Sequence, residues 1–265
     1  DECVDLCNDI IKEESKQEIF PQKGVIKIIA EYLFELECRL ARAWASASHK
    51  RLFMAQWTLK PAPEWFDHHI DLFYQWQKTN NSLWVERGVF GSLALKGESI
   101  LELSCGDGFN AKHFYSCRSK NVVACDFDPT AINTATKKNQ SSNITYVLAD
   151  IRTEMPEGKY ENICWDASIE HFTPSEITSI MANIKDRLTT DGILSGYTIV
   201  ERVDKTKQHT LHEYEFKDMS DLKRFLTPHF LNVRVFETIY PDRHNLYFWA
   251  SDETLPFDKD WAHCI

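Results

Sequence analysis

Glycines and acidic residues stand at the ends of apolar runs in the middle of this 265-residue chain. The stretch "ILELSCGDGFNAKHF", residues 100–114, places Glu102 inside an apolar run and puts Gly106 and Gly108 directly after it. Glycine has no Cβ, so its backbone can approach a bound ligand closely. Three later apolar runs each end in an acid, at Asp126, Asp150 and Asp166. The pattern predicts a ligand-binding edge that is rich in carboxylates.

The spacing of the glycines indicates which kind of ligand this edge takes. A dinucleotide fingerprint reads GxGxxG, and the helix N-terminus that follows it binds a pyrophosphate. Here the stretch reads ExSxGxG and has no third glycine at that spacing, which favours a ligand without a pyrophosphate over NAD. Asp126 can accept hydrogen bonds from ribose hydroxyls, and Asp150 can accept one from an adenine amino group. A cationic ligand that contains adenosine suits these acids better than a phosphate does.

An open α/β sheet is needed to bring these residues together. Short apolar runs alternate with amphipathic stretches from residue 99 onward, which is typical of a parallel sheet with helices on both faces. Ligands of such sheets bind at the carboxyl ends of the strands, where we expect the acids to lie. The last two runs are separated only by "IYPDRH", which predicts an antiparallel pair at one edge. The predicted strands are 99–104, 121–126, 144–150, 161–166, 192–200, 231–238 and 245–251.

Residues 1–59 are interpreted as a helical N-terminal extension, and residues 60–265 as the ligand-binding domain. "KPAPEW", at 60–65, ends the helical pattern with two prolines. A regular apolar face is unstable alone in water, so we expect the extension to pack on the second domain or to form a homodimer. The residues at i, i+3 and i+4 spacing that predict this face are Val25, Ile28, Ile29, Leu33, Leu36 and Leu40.

Composition narrows the class of function. The formal net charge of −10 opposes phosphate backbones, so nucleic acid is not expected as a partner. No apolar run reaches the length of a membrane span, and the acidic N-terminal segment lacks the pattern of a signal peptide. The eight cysteines include no CxxC pair, which argues against a zinc site and favours a reduced, cytoplasmic protein.

Five ordered motifs resemble those of the class I S-adenosylmethionine-dependent methyltransferases. The resemblance covers roughly residues 65–251. It implies a Rossmann-like fold with a mostly parallel central sheet and an antiparallel C-terminal edge pair, S-adenosyl-L-methionine as cofactor, and methyl transfer as the reaction. The motifs are "LELSCGDGFNAKHF", "VVACDFDPTAINTA", "ITYVLADI", "ENICWDASIEHFTPSEI" and "DGILSGYTIVE".

Matching these motifs residue by residue assigns nine positions to the cofactor. Glu102 corresponds to the residue that orients the loop and the methionine amino group, and Asp126 to the residue that binds the ribose. Phe127 and Asp150 correspond to residues that contact the adenine. Ser104 stands where the family has the first glycine of the loop, and its Cβ restricts that loop. The assigned set is Glu102, Ser104, Gly106, Gly108, Asp126, Phe127, Asp150, Ile151 and Asp166.

The acceptor side of the site is expected beyond the fourth strand. His171 lies there in "IEHF", where the fold of the family brings residues toward the transferred methyl group. An imidazole with an ordinary pKa of about 6.5 can take a proton from a hydroxyl or amine, so His171 and Glu170 are the predicted catalytic residues. The alternative is a histidine that bonds to the backbone and shapes the loop. Segments after the fourth and fifth strands predict substrate contacts from His212, Arg243 and His244.

A divalent metal bound by Asp166, Glu170 and His171 is a further alternative, as in oxygen-methylating enzymes of the catechol type. Such a site needs two or three ligands that face one open position. The adjacent side chains of Glu170 and His171 are not expected to face inward together. The prediction therefore contains no metal.

These observations favour a methyltransferase that acts on an oxygen or nitrogen atom of a small polar metabolite or sugar-like acceptor. Two alternatives remain open at this point. One is a protein methyltransferase, which needs a groove for an extended peptide. The other is a non-catalytic adenosine-binding scaffold with a helical dimerisation arm, for which Ser104 is the supporting feature.

Overall fold

The computed structural model describes residues 24–57, 83–241 and 243–258. The chain divides into two compact units, residues 1–60 and 61–265, which are described separately. The elements are α1 (Gly24–Trp57) in the first unit and, in the second, α2 (Leu83–Leu93), β1 (Ser99–Leu103), a π-helix (Ala111–Tyr115), β2 (Asn121–Asp126), α3 (Pro129–Lys138), β3 (Ile144–Leu148), β4 (Tyr160–Asp166), a 3₁₀ turn (Ile169–His171), α4 (Pro174–Arg187), β5 (Leu188–Ile199), α5 (Met219–Leu226), β6 (Asn232–Tyr240) and β7 (Arg243–Ser251).

Helix α1 is one continuous helix of 34 residues. It contains no proline, and its many Ala, Leu, Glu, Arg and Lys residues favour a helix. Most of the apolar face predicted from the spacing is exposed, since Ile28, Leu33 and Leu40 keep more than half of their surface accessible. Of the predicted helical segment 1–59, residues 1–23 and 58–59 lie outside the described residues. No helix in the described part of the chain is long and apolar enough to cross a membrane.

The second unit contains a seven-stranded sheet with the strand order β3-β2-β1-β4-β5-β7-β6. Strands β1 to β5 pair in parallel, and β7 runs antiparallel to both β5 and β6. The predicted mostly parallel sheet and its antiparallel C-terminal pair are confirmed. The chain moves outward from β1 to β3 and then returns to place β4 beside β1. A crevice forms at such a switch point, where open sheets bind their ligands.

Apolar side chains cover both faces of the sheet, as expected for parallel strands that are buried on two sides. Successive residues of β1 point to opposite faces, so Leu101 and Leu103 join one core cluster and Ile100 joins the other. Helices α4 and α5 pack in the first cluster, and the π-helix and α3 contribute to the second. Glu102 lies on the same face as Ile100, so its carboxylate is directed into a largely apolar layer.

Side-chain caps determine where the helices after β2 and β4 begin. Asp128 caps α3 by accepting from the backbone N–H of Thr130. Thr173 and Glu176 form a reciprocal capping box at the start of α4. These caps limit the loops after β2 and β4 to a few residues, so the residues that follow each strand stay at the carboxyl edge of the sheet.

Candidate active site

The loop after β1 contains three residues with left-handed backbone conformations. Ser104, Gly106 and Gly108 have φ angles of 55°, 54° and 75°. The Gly106 N–H donates to Asp126 Oδ2 at 2.9 Å, which joins this loop to the end of β2. A Cβ on Gly108 would lie 2.4 Å from the Tyr146 hydroxyl oxygen, so no larger residue fits there without a rearrangement. The close approach of Tyr146 requires a glycine at position 108, and the positive φ favours one at position 106.

Ser104 adopts the conformation that a glycine takes most easily. A left-handed conformation brings the Cβ of an L-residue close to the following carbonyl oxygen, at a cost of about 1–2 kcal/mol. Ala167, directly after β4, has the same kind of conformation, with φ at 52°. The two strained residues follow the two strands that flank the switch point. Backbone strain of this kind is concentrated at functional sites.

Glu102 is a buried carboxylate with one oxygen available. Its side chain is 2% exposed and accepts from the backbone N–H of Ala111. Its Oε2 atom has no hydrogen-bond partner among the described residues. Burial raises the pKa of Glu102 well above its ordinary value, and Asp166 raises it further, while Arg87 lowers it. A buried carboxylate without a full set of donors is costly, so this position fits a cationic donor such as an ammonium group.

Arg87, from α2, forms a buried ion pair with Asp166 at the end of β4. Its Nε donates to Asp166 Oδ2 at 2.7 Å, and its Nη2 also bonds to this oxygen. Asn110 Nδ2 donates to the same oxygen at 3.1 Å. Burial acts to lower the pKa of Arg87, but the carboxylate of Asp166 raises it above its ordinary value. Sequence reasoning missed Arg87 and Asn110; the only sequence signal for Arg87 is a charge within the apolar helix "LWVERGVFGSL".

Unpartnered buried atoms also occur on Asn110 and Ser168. Asn110 Oδ1 and Ser168 Oγ have no hydrogen-bond partner among the described residues, as is the case for Glu102 Oε2. The three residues belong to β1, the segment before the π-helix, and the loop after β4. Buried polar atoms are normally satisfied in proteins, so three open positions near one sheet edge indicate a polar ligand.

The predicted ribose and adenine residues lie at the ends of β2 and β3. Asp126 is buried, and its Oδ1 accepts from the Asp128 N–H at 2.9 Å. A carboxylate has about four lone-pair positions and can accept from several donors at once. Phe127 is 49% exposed and can present its ring to a base, and Ile151 is buried.

Asp150 differs from the simple prediction because its carboxylate is already paired. Both of its oxygens accept from Arg152, with Nη2 at 2.6 Å from Oδ2. These hydrogen bonds lower the pKa of Asp150 below its ordinary value. The pair is partly exposed, so water also solvates the guanidinium of Arg152. An adenine amino group would have to compete with this guanidinium for the carboxylate of Asp150.

The 3₁₀ turn after β4 contains both predicted catalytic residues. Glu170 is buried, and its Oε2 accepts from the Thr198 hydroxyl on β5 at 2.9 Å. His171 is partly exposed, and its Nδ1 lies 3.2 Å from the Leu211 carbonyl oxygen. A carbonyl can only accept, so Nδ1 of His171 carries a proton, and in the neutral ring the lone pair is on Nε2.

His212 lies beside these two residues. Its ring centroid is 4.9 Å from that of His171. One possible metal-ligand atom from each of Glu170, His171 and His212 lies within 4.8 Å of the others. The expectation that Glu170 and His171 cannot face one position is therefore wrong. Adjacent residues of a 3₁₀ turn diverge by about 120°. Even so, one possible ligand atom of Glu170 and one of His171 both lie within 4.8 Å of one on His212, which comes from a separate segment.

Arg243 and His244 lie at the start of β7, next to the end of β5. The Val200 N–H donates to the His244 carbonyl oxygen at 3.0 Å, because β7 runs antiparallel to β5. Arg243 Nε donates to the Tyr197 hydroxyl oxygen, and His244 Nε2 hydrogen-bonds to Glu237. Both residues therefore lie near the carboxyl end of β5, as predicted for the acceptor side. Their side chains bond to residues of β5 and β6, and not to Glu170, His171 or His212.

Comparison with known proteins identifies the type of domain. Residues 100–192 match the family model described as a methyltransferase domain. This range begins in β1 and ends in β5, so it contains the glycine loop, the ends of β2 to β4, and the 3₁₀ turn. No curated protein matches the chain.

Solved structures of methyltransferases share the fold of the chain. The DhpI–SAH complex is 14% identical with a TM-score of 0.53, and the alignment covers 70% of this chain and 90% of that one. TehB from Haemophilus influenzae is 19% identical with a TM-score of 0.53, over 68% and 66% of the two chains. The N-methyltransferase NodS from Bradyrhizobium japonicum WM9, in complex with S-adenosyl-L-homocysteine, is 16% identical with a TM-score of 0.53, over 66% and 90%.

The fold of the second unit is that of the class I S-adenosylmethionine-dependent methyltransferases, as the motifs indicated, and residues 100–192 match a methyltransferase domain. Enzymes of this class take their methyl group from S-adenosyl-L-methionine, and the predicted cofactor is that of the class.

Proposed function

We propose that this chain transfers the methyl group of S-adenosyl-L-methionine to an oxygen or nitrogen atom of a small polar or sugar-like acceptor. The observation that carries the proposal is the unpartnered, buried oxygen of Glu102 beside the glycine loop at the switch point. A buried carboxylate in this position requires a cationic donor, and the methionine part of the cofactor has an ammonium group.

The residues at the carboxyl ends of β1 to β4 fit the parts of this cofactor. Glu102 and the loop through Gly106 and Gly108 would bind the methionine part. Asp126 and Phe127 would bind the ribose and the adenine face, and the segment Asp150–Ile151 the adenine edge. When bound, the sulfonium supplies an electrophilic methyl group.

The chain itself contributes a site that is ordered before binding. Gly106 donates to Asp126, so the ribose acid and the glycine loop keep a constant separation. Arg87 and Asn110 fix the carboxylate of Asp166 at the methionine end. Alignment of donor and acceptor supplies much of the rate in a displacement, and a preformed site reduces the entropy lost on binding.

His171 and Glu170 are proposed to act on the acceptor. The Leu211 carbonyl orients the ring of His171 and leaves Nε2 able to accept a proton from a hydroxyl or amine. Glu170 is oriented by Thr198 and by its own backbone, which accepts from Glu213 and Tyr214. His212, Arg243 and His244 are proposed to contact the acceptor. The net charge of −10 favours a neutral or cationic acceptor over a nucleic acid.

Calorimetry with S-adenosylmethionine and its demethylated product tests the cofactor site. We expect both ligands to bind, and Asp126→Asn to weaken binding by about 10- to 150-fold, because a charged hydrogen bond contributes about 1.5–3 kcal/mol. Asp204→Asn is the matched control, since Asp204 is an exposed loop acid that accepts from Thr206. Equal affinities of the two variants, or no binding by wild type, would refute the assignment.

Release of the demethylated cofactor, measured with a panel of acceptors, distinguishes the proposed small-molecule methyltransferase from a protein methyltransferase and from a non-catalytic scaffold. Amino sugars, hydroxylated metabolites and unfolded peptides form the panel. Product release with a small acceptor supports the proposal, and release only with peptides supports a protein methyltransferase. Cofactor binding without product release from any acceptor supports the adenosine-binding scaffold.

We also propose that residues 1–59, a helical extension that precedes the methyltransferase domain of 60–265 in the sequence, form a homodimer contact. The support is the exposed apolar surface of α1, where Leu40 and Trp44 are 63% and 73% accessible. Light scattering of Leu40→Glu should show fewer dimers than wild type, and Lys50→Glu should not differ from wild type. A wild-type protein that is monomeric at every concentration contradicts this proposal.

A further inference from the structure

We propose that Glu170, His171 and His212 bind a divalent first-row transition-metal ion, with zinc as the probe. The inference goes beyond the proposed methyl transfer, and metal binding is measured without cofactor or acceptor. Two imidazole nitrogens and one carboxylate oxygen suit such ions better than magnesium or calcium, which prefer oxygen ligands alone. The structure brings one possible ligand atom from each residue within 4.8 Å of the others.

The separation of these atoms is close to that of a metal site. Ligand atoms about 2.1 Å from a tetrahedral zinc ion lie about 3.4 Å from one another. The observed limit of 4.8 Å therefore needs a contraction of about 1.4 Å at most. Rotation of the partly exposed His171 side chain can supply much of this movement. Glu170 and His212 are 4% and 6% exposed and form a fixed part of the group.

Hydrogen bonds outside the group leave a lone pair on each proposed ligand. His171 Nδ1 donates to the Leu211 carbonyl oxygen, and His212 Nδ1 bonds to the carboxylate of Glu215. In the neutral tautomer that these hydrogen bonds favour, both imidazoles carry the lone pair on Nε2. Histidines that bind metals typically donate their other N–H to a carbonyl or carboxylate in this way, which sets the tautomer and the ring orientation.

Glu170 and Glu215 are oriented by further contacts. Thr198 donates to Glu170 Oε2 at 2.9 Å, so Oε1 is the oxygen proposed to bind the metal. Glu215 also accepts from the Gln208 N–H at 2.7 Å, so the partner of His212 has a fixed position. Each proposed ligand thus has an orienting partner from a neighbouring segment.

His209 is a third imidazole at this position but is not a proposed ligand. Its ring lies 5.4 Å from that of His212 and 6.0 Å from that of His171. The Leu211 N–H donates to His209 Nδ1 at 3.2 Å, so the proton of its neutral ring is on Nε2. Neither ring nitrogen then offers a lone pair to a metal. His209 is therefore a matched control for His212.

A metal with three protein ligands keeps open positions. An acceptor hydroxyl or amine that coordinates there would lose its proton more easily, because a bound divalent cation stabilises the deprotonated form. With the ion bound, His171 would be a ligand and not the base, and the proton of the acceptor would pass to solvent water.

The test is zinc titration of the full chain after removal of metals with a chelator. Mass spectrometry of the dialysed protein gives the metal content, and the visible spectrum of Co²⁺-loaded protein reports nitrogen coordination. We expect wild type to bind one more equivalent of zinc than His212→Ala does. Glu170→Gln should lower the affinity for this equivalent by more than tenfold. His209→Ala should bind as wild type does.

Two results would overturn the metal site. One is equal metal content of wild type and His212→Ala. The other is an equal loss in His209→Ala and His212→Ala, which would indicate a general effect on the loop. Glu170→Gln keeps an oxygen that can accept from Thr198, so circular dichroism should show that this variant is folded. Because no cofactor is present, failure of the proposed methyl transfer leaves these measurements unaffected.

Discussion

The two sides of the switch point are built in different ways. On the side of β1 to β3, each proposed cofactor residue lies in a strand or in the short loop that follows it, as Glu102, Asp126 and Asp150 do. On the side of β4 and β5, the group around His171 depends on His212, which comes from a loop beyond α4 and β5. The first arrangement follows from strand positions alone. The second requires a long segment to fold back onto the 3₁₀ turn.

The largest expected effect is on the acceptor side. If His171 takes the acceptor's proton, or binds an ion that makes this proton easier to lose, His171→Ala should lower turnover by about 10²- to 10⁴-fold and leave cofactor affinity nearly unchanged. A purely positioning role would give a smaller loss, partly in the KM of the acceptor. His171→Gln and His209→Ala are the comparisons, assayed between about pH 6 and 9. Near-wild-type turnover of both His171 variants would make this residue a structural part of the loop.

The second prediction concerns the buried ion pair between Arg87 on α2 and Asp166 at the end of β4. Arg87→Met should lower the free energy of unfolding by about 3–5 kcal/mol, because it leaves the buried carboxylate of Asp166 without its cation. Arg87→Lys keeps the charge but loses the planar donor pair, so we expect a smaller loss. Urea denaturation at neutral pH provides the measurement. A loss below about 1 kcal/mol for Arg87→Met would show that the pair is not important for stability.

The sequence predicted the side of β1 to β3 better than the side of β4 and β5. The strands, the acids at their carboxyl ends and the antiparallel pair were predictable because apolar runs and strand ends are local features. The pairing of Arg87 with Asp166 was not, because it joins α2 to β4 across 79 positions. Placement of His212 against Glu170 depends equally on tertiary contacts, and the adjacency of Glu170 and His171 led to the wrong geometric conclusion. The Asp150–Arg152 pair was within reach, since the two residues are neighbours in sequence.

The third prediction uses the raised pKa of Glu102. A group whose pKa is raised by folding stabilises the protein below its ordinary pKa, and this contribution is lost as the pH rises through the folded-state pKa. Without cofactor, Glu102→Gln should therefore be more stable than wild type at alkaline pH, and the difference should shrink on acidification.

Binding of the cofactor should reverse the stability advantage that Glu102→Gln has over wild type at alkaline pH. Its ammonium group favours the carboxylate of Glu102, so binding to wild type should release protons, which calorimetry in two buffers of different ionisation enthalpy detects. Glu102→Gln should bind the cofactor about 1.5–3 kcal/mol more weakly and release no protons. Equal affinity of variant and wild type would exclude Glu102 as the ammonium partner.

The smallest expected effects compare Ser104 and Ala167, the strained residues after β1 and β4. Replacing either by glycine removes about 1–2 kcal/mol of left-handed strain but adds about 0.4–1 kcal/mol of unfolded-state entropy. The free energy of unfolding of each variant should therefore rise by at most about 1.6 kcal/mol, as measured by thermal unfolding. Only Ser104→Gly should change affinity for the demethylated product, because Ser104 belongs to the loop that Gly106 joins to Asp126. Ala167→Gly should instead change acceptor KM, since Ala167 precedes the turn of Glu170 and His171. If both variants altered cofactor affinity equally, the two sides of the switch point would not be separable.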